Sequence, residues 1–278
     1  MKKIFISADI EGVCGIADWK ETEVADAQGA YFREQMTREV CAACEAACEA
    51  GVEEVFVKDA HGPGRSINPM MLPKNVRIMR ASTRGPYGMM AGIDGSFGGA
   101  AFVGYHSGAG TNGNPLAHTM DTNNVYVMIN GELASEFLIN TYTAAFFGVP
   151  VLFLSGDRLL CERAERLAPG IRTVAVSEGL GNASISIHPA VAVERIRRTA
   201  AEAFGSVTAA PARAAPARGE NGRGLKLPGE FKIDIRFRQH HLAYRGSFYP
   251  GAAPAGPCEV TFTASSWLDA LTFLFYVL

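Results

Sequence analysis

Short runs of almost uninterrupted apolar residues constrain this chain most: Ile4-Phe5-Ile6, Val55-Phe56-Val57, Ala101-Phe102-Val103, Val125-Tyr126-Val127-Met128-Ile129 and Val149-Pro150-Val151-Leu152-Phe153-Leu154. A strand with one wet face alternates apolar and polar residues; a strand covered on both faces has no reason to. The runs alternate with helical stretches near residues 31–50, 132–147, 157–167 and 189–204. Further strands are expected near 76–80 and 171–176. Gly51 and Gly148 stand where two of the helices should stop. This order predicts an α/β fold, a mainly parallel sheet covered by helices on both faces.

The pattern changes towards the C-terminus. Residues 206–223 are rich in Ala, Pro, Arg and Gly with no apolar period, and read as a linker or exposed loop. Beyond them Phe231, Ile233, Ile235 and Phe237 alternate, as a half-buried strand does, with residues 258–263 as a partner. Ser266 with Asp269 resembles a capping box opening a last helix. The expected organisation is a catalytic α/β domain over residues 1–205 and a smaller α+β subdomain over 224–278.

Composition removes several function classes. The net charge is −2, so nothing forces the basic surface that nucleic acid requires. Asp9 and Glu11 cut the N-terminal apolar run too short for a secretory leader, and no stretch approaches the ~18 apolar residues of a membrane span. Cys41, Cys44 and Cys48 fall on one helical face, as small packing residues of a reduced cytoplasmic protein do. Adjacent His240 and His241, read on a strand, point to opposite faces and make a poor ligand pair.

The chemistry collects where the apolar runs end. Asp9 and Glu11 close the first, His61 the second and His106 the third, while Glu136 lies just beyond the fourth. Ligands of open α/β sheets gather at the carboxyl ends of strands. Each residue alone has an ordinary reading: a loop histidine bonded to backbone, a turn aspartate, a solvated helix glutamate. Together they supply three carboxylates and two imidazoles, enough for two divalent ions about 3.5–4 Å apart sharing a solvent molecule. Four positive charges balance against three carboxylates and a hydroxide. The mixed nitrogen and oxygen set suits two zinc ions, with manganese, cobalt or iron(II) as alternatives.

Ser7-Ala8-Asp9-Ile10-Glu11-Gly12, Asp59-Ala60-His61, Gly104-Tyr105-His106, His118-Thr119-Met120 and Glu136 ahead of Asn140 resemble, in order, the motifs of the D-aminopeptidase family of metallopeptidases, first linked to a dipeptide-transport operon. The resemblance implies a dinuclear zinc centre with Asp9 bridging, Glu11 and His61 on one ion, and His106 and Glu136 on the other. Counting back from Val149-Pro150-Val151 selects Glu136 over Glu132. The family's catalytic histidine maps to His118, which would otherwise read as a surface-loop residue. Also implied are hydrolysis of short peptides with an N-terminal D-amino acid through a metal-bridging hydroxide, and a homo-oligomer, a ring-shaped decamer enclosing the active sites. Two alternatives stay open: another dinuclear amidohydrolase, and a non-catalytic peptide-binding protein of dipeptide uptake. Asn140 reads equally as a ligand-orienting group or a buried amide.

Overall fold

A computed structural model describes residues 2–208 and 225–278. In chain order the elements are β1 (Lys3–Ala8), α1 (Gly29–Glu49), β2 (Glu54–Asp59), β3 (Val76–Met79), β4 (Gly99–Tyr105), β5 (Asn124–Ile129), β6 (Glu132–Leu133), α2 (Glu136–Phe146), β7 (Val151–Asp157), α3 (Arg158–Leu167), β8 (Arg172–Leu180), β9 (Ala183–Ser186), α4 (Pro189–Thr208), β10 (Phe231–Phe237), α5 (His240–Gly246), β11 (Ala253–Gly256), β12 (Glu259–Ala264) and α6 (Trp267–Val277).

The apolar runs form the larger sheet, ordered β3-β2-β1-β4-β7-β8-β9. All its pairings are parallel except that of β9 with β8. Both faces are covered. Ile4, Ile6 and Ala8 of β1 pack with α1 and α4, while Phe5 on the opposite face joins Phe137 of α2 and Leu160 of α3. The mainly parallel α/β sheet read from the sequence is the observed one. The strand order reverses direction at β1, with β2 on one side and β4 on the other, and a crevice opens at the carboxyl end of such a switch point.

Two helix stops follow from backbone chemistry. Gly51 adopts φ 79° after α1, and its amide and that of Val52 donate to Cys48 and Ala47. Gly148 repeats the arrangement after α2, with φ 73° and bonds from Gly148 and Val149 to Ala145 and Ala144. Both are Schellman endings, which need the left-handed conformation that glycine adopts at least cost.

A second sheet, ordered β11-β12-β10-β5-β6, is antiparallel. Residues 124–129 therefore leave the parallel sheet and pair with β10, so the smaller unit expected over 224–278 receives two strands from earlier in the chain. The helix expected from 132 begins at Glu136, because residues 132–133 turn back as β6. The turn is Asn130-Gly131, with φ 52° and 82°, the hairpin geometry that Asn-Gly favours. His240 and His241 open α5 rather than lying on a strand, and both are exposed. The short strand β9 was not expected, and α4 runs on into the expected linker as far as Thr208. The rest of that linker, from residue 209, lies outside the described residues.

Candidate metal centre

β1, β2 and β4 end side by side, and their next residues carry the chemistry. Asp9 and Glu11 follow β1, His61 follows β2 and His106 follows β4. Glu136 is the first residue of α2, and His118 sits in the long connection between β4 and β5. The structure brings all six together. Asp9, Glu11, His106 and Glu136 are buried, and His61 and His118 keep only 13% and 11% of their side chains exposed.

Asp9 divides its two oxygens. Oδ1 lies 3.4 Å from His61 Nδ1, and Oδ2 lies 3.5 Å from His106 Nε2. Glu11 Oε2 is 2.9 Å from His61 Nδ1, and Glu136 Oε2 is 3.6 Å from His106 Nε2. Two ligand-sized triads result, Asp9-Glu11-His61 and Asp9-His106-Glu136, joined by one carboxylate. A third, Glu11-His106-His118, overlaps them. His118 Nε2 stands 3.6 Å from Glu136 Oε1 and 3.9 Å from Glu11 Oε1.

The outer ring nitrogens fix these imidazoles. His106 Nδ1 lies 3.0 Å from the Ser107 carbonyl, and His118 Nδ1 lies 2.9 Å from that of Leu116. Each Nδ1 is placed to donate to that carbonyl, which turns Nε2 towards the crevice. The two rings stack, with centroids 4.4 Å apart and planes 9° from parallel.

Close backbone packing holds the ligand loops. Gly12 donates to the Gly104 carbonyl, and a Cβ on Gly12 would lie 1.8 Å from the Tyr105 carbonyl oxygen. Gly104 has φ 72°, and a Cβ there would strike the Asp9 carbonyl at 2.4 Å. The glycines of Glu11-Gly12 and Gly104-Tyr105-His106 thus let the loops after β1 and β4 touch, bringing Asp9 to His106. Beneath them the Tyr105 hydroxyl donates to Ser7 Oγ at 2.7 Å and accepts from Asn140 at 2.9 Å. Asn140, one turn on from Glu136, therefore ties α2 to β4 as a buried amide. Asp157 caps α3 and accepts from the Ser107 amide and hydroxyl, both at 2.6 Å, fixing the residue after His106.

A buried cluster of three carboxylates attracts positive charge. Burial alone would lower the His61 pKa, but Glu11 together with Asp9 outweighs it and raises the imidazole to about 11. His106 is raised against burial to about 10, chiefly by Glu136. Burial and the neighbouring Glu11 push the Asp9 carboxyl up. Glu11 is held well below the usual range, since His61 and the groups around it more than offset burial. His118 differs: burial and His106 lower its pKa. Asp9 Oδ2 and His106 Nε2 are buried without a hydrogen-bond partner. Hard oxygens and imidazole nitrogens converging in this way fit divalent zinc.

Comparison with known proteins places the whole chain. The D-aminopeptidase family profile matches residues 1–275. The chain belongs to the D-aminopeptidase family. It is a metallopeptidase by that membership. A D-aminopeptidase of Bacillus subtilis (strain 168) is 28% identical over 272 residues, spanning 96% of this chain and 93% of that protein. The solved structure of the Zn-dependent D-aminopeptidase DppA from Bacillus subtilis, described as a self-compartmentalizing protease, superposes with a TM-score of 0.88. It is 26% identical, and the alignment covers 99% of this chain and 96% of that one.

Within this D-aminopeptidase fold, Glu132 and Glu136 separate cleanly. Glu132 is exposed on β6 and Glu136 is buried in the cluster. Residues around His118 carry structure that sequence reading passed over. Thr119 Oγ1 donates to the Ala134 carbonyl and accepts from the Ala109 amide. Met120, at φ 66°, turns its amide onto Glu136 Oε1 at 2.8 Å. Trp19, 39% exposed, packs against the His118 ring. The capping pair Asp18 and Glu21 around Trp19 was a readable turn signal, but nothing local linked it to a histidine 99 positions later.

Proposed function

We propose that this protein is a zinc-dependent aminopeptidase that removes an N-terminal D-amino acid from short peptides. Asp9 would be shared between two zinc ions, with Glu11 and His61 holding one and His106 and Glu136 the other. The observation that carries the reading is the division of Asp9, whose two oxygens face different imidazoles. Bound zinc supplies a water of lowered pKa and a Lewis acid for the scissile carbonyl.

The chain's own groups supply the rest. Burial and the neighbouring His106 hold the His118 pKa below its ordinary value, and its Nδ1 faces the Leu116 carbonyl. Nε2 is therefore free to accept a proton from the attacking water and deliver it to the leaving amine. Glu11 and Glu136 lie within 4 Å of that nitrogen and stabilise the imidazolium between the two transfers. Burial of the cluster limits bulk water and strengthens these interactions. The D-preference and the peptide substrate rest on the family and its relatives. A self-compartmentalizing neighbour supports a homo-oligomer, which we take to be a ring-shaped decamer. The six free cysteines suit a reducing, cytoplasmic location, and no helix among the described residues is long and apolar enough to cross a membrane.

The test is turnover of D-alanyl and L-alanyl amides by zinc-loaded, chelated and reloaded protein. D-amide hydrolysis that is lost on chelation and restored by zinc supports the proposal. Tight peptide binding without turnover makes it a binding protein, and turnover of other amides alone makes it a different amidohydrolase. Anomalous scattering from crystals should give two peaks about 3.5–4 Å apart; a single peak overturns the dinuclear assignment. The triad Glu11-His106-His118 gives His118 a second reading as a metal ligand. His118→Ala decides between them: as a proton carrier it loses about 10²–10⁴-fold in kcat with zinc retained, and as a ligand it loses zinc.

A further inference from the structure

The ring of His118 is held on two sides. One is the stacked His106 ring. The other is the indole of Trp19, whose centroid lies 5.1 Å away with the planes 68° apart, an edge-to-face arrangement. His118 sits in a connection rich in glycine; its Nδ1 bonds the Leu116 carbonyl, its Nε2 faces Glu136 and Glu11, and these two rings flank its plane.

Trp19 belongs to none of the three hydrophobic cores. It lies on a single 3-10 turn, Trp19–Glu21, braced beyond what a surface turn needs. Glu21 Oε2 accepts from the amides of Ala17 and Asp18 at 2.7 and 3.0 Å. Asp18 Oδ1 accepts from Lys20 at 2.9 Å, and buried Thr22 donates its hydroxyl to the Trp19 carbonyl at 2.8 Å. Four side chain–backbone bonds thus immobilise the backbone beneath one large aromatic ring, and that ring bears on His118.

We infer that Trp19 is a positioning residue that acts through His118, holding the imidazole so that Nε2 faces the reacting atoms. The inference rests on the proposed role of His118 as proton carrier. A proton acceptor displaced by about 1 Å loses on the order of 10²-fold in rate, and that is the loss a ring without its wall invites.

A double-mutant cycle tests it on the zinc-loaded full chain with a D-alanyl amide. Trp19→Ala should lower kcat about 10–100-fold with KM and zinc content unchanged. Trp19→Phe, which keeps an aromatic edge, should stay within about threefold of the parent. In a His118→Ala background, Trp19→Ala should cost nothing further. Equal losses in both backgrounds overturn the inference. So does a raised KM with kcat intact, because Trp19 would then contact substrate instead. Where the His118→Ala background is too slow to measure, the KM-against-kcat split and the Phe rescue decide. A His118→Ala protein at parent rate sinks the His118 assignment itself; a parent-like Trp19→Ala beside an inactive His118→Ala sinks only the Trp19 role.

Discussion

The two sheets of this molecule divide its work. In the larger sheet every strand but β9 ends at the same edge, so loops from distant parts of the chain meet there. Asp9, Glu11, His61 and His106 arrive by that route, each just past a strand that is apolar on both faces. The antiparallel sheet reverses direction at each turn and scatters its strand ends over two edges. Its strand β10 alternates buried and exposed residues, and its buried face meets Trp267, Phe273 and Leu274 of α6. One of the five expected ligands reaches the cluster from that side: Glu136, delivered by the β5–β6 hairpin and α2. A parallel sheet gathers chemistry; an antiparallel one can supply a single brace.

The largest expected effect removes what the parallel edge assembles. Asp9→Ala takes away the carboxylate shared by both triads. Metal analysis should show zinc lost, and turnover should fall by about 10³-fold or more, since metal chemistry contributes several kcal/mol. Full zinc occupancy in that variant would mean that the bridge lies elsewhere.

Next comes the brace. Trp267 is 1% exposed, packs against Tyr142 and Phe231, and donates to Thr143 Oγ1 on α2 at 3.0 Å. Trp267→Ala should destabilise the fold by about 3–5 kcal/mol, read by denaturant unfolding. If the second sheet serves the site only through α2, zinc affinity should fall in the same variant. Unchanged affinity would separate the two sheets more sharply than the packing suggests.

A smaller effect belongs to the parallel sheet and carries a pH signature. Glu39 on α1 is fully buried and accepts from the Cys14 amide and Gln35, fixing the loop just after Glu11. Burial raises its carboxyl from 4.5 to about 7. Between those values the native state binds more protons than the unfolded state, so stability falls as pH rises. The cost is absent below about pH 4.5 and reaches about 3 kcal/mol above pH 7. Glu39→Gln should therefore raise the melting temperature by several degrees at pH 8 and hardly at all near pH 5. An equal gain at both values would show that the charge is not the cause.

How much of this was legible in the sequence follows the same division. Continuous apolar runs announce a doubly covered sheet, and the residue that ends such a run is aimed at its edge; Asp9, Glu11, His61 and His106 could be read that way. Asp157 as a cap and Gly51 and Gly148 as helix stops are equally local. Residues 124–129 look like the other runs, but a strand does not encode which sheet it joins. That depends on β10, more than 100 residues later. His118 was reached only through the family's motif, and its contact with Trp19 not at all, because ring contacts across a glycine-rich connection leave no periodicity. Asn130-Gly131 did carry its signal: a two-residue Asn-Gly turn marks a hairpin, and it moves the start of α2 from 132 to 136.

That turn sets up the smallest effect and the finest comparison. Glu132 and Glu136 are four residues apart, which on one continuous helix would put them on the same face. The hairpin instead leaves Glu132 exposed on β6, while Ser135 caps α2 and Glu136 enters the cluster as its first residue. Glu136→Gln should weaken zinc binding, because an amide oxygen brings no charge to the ion. Glu132→Gln should leave zinc content and turnover at parent level, with a stability change within about 0.5 kcal/mol, as exposed substitutions usually show. Isothermal titration of zinc into the two chelated variants makes the distinction directly. Weakened binding in the Glu132 variant would mean that the chain carries a helix through residue 132 when metal is present, with the ligand shifted one turn towards the hairpin.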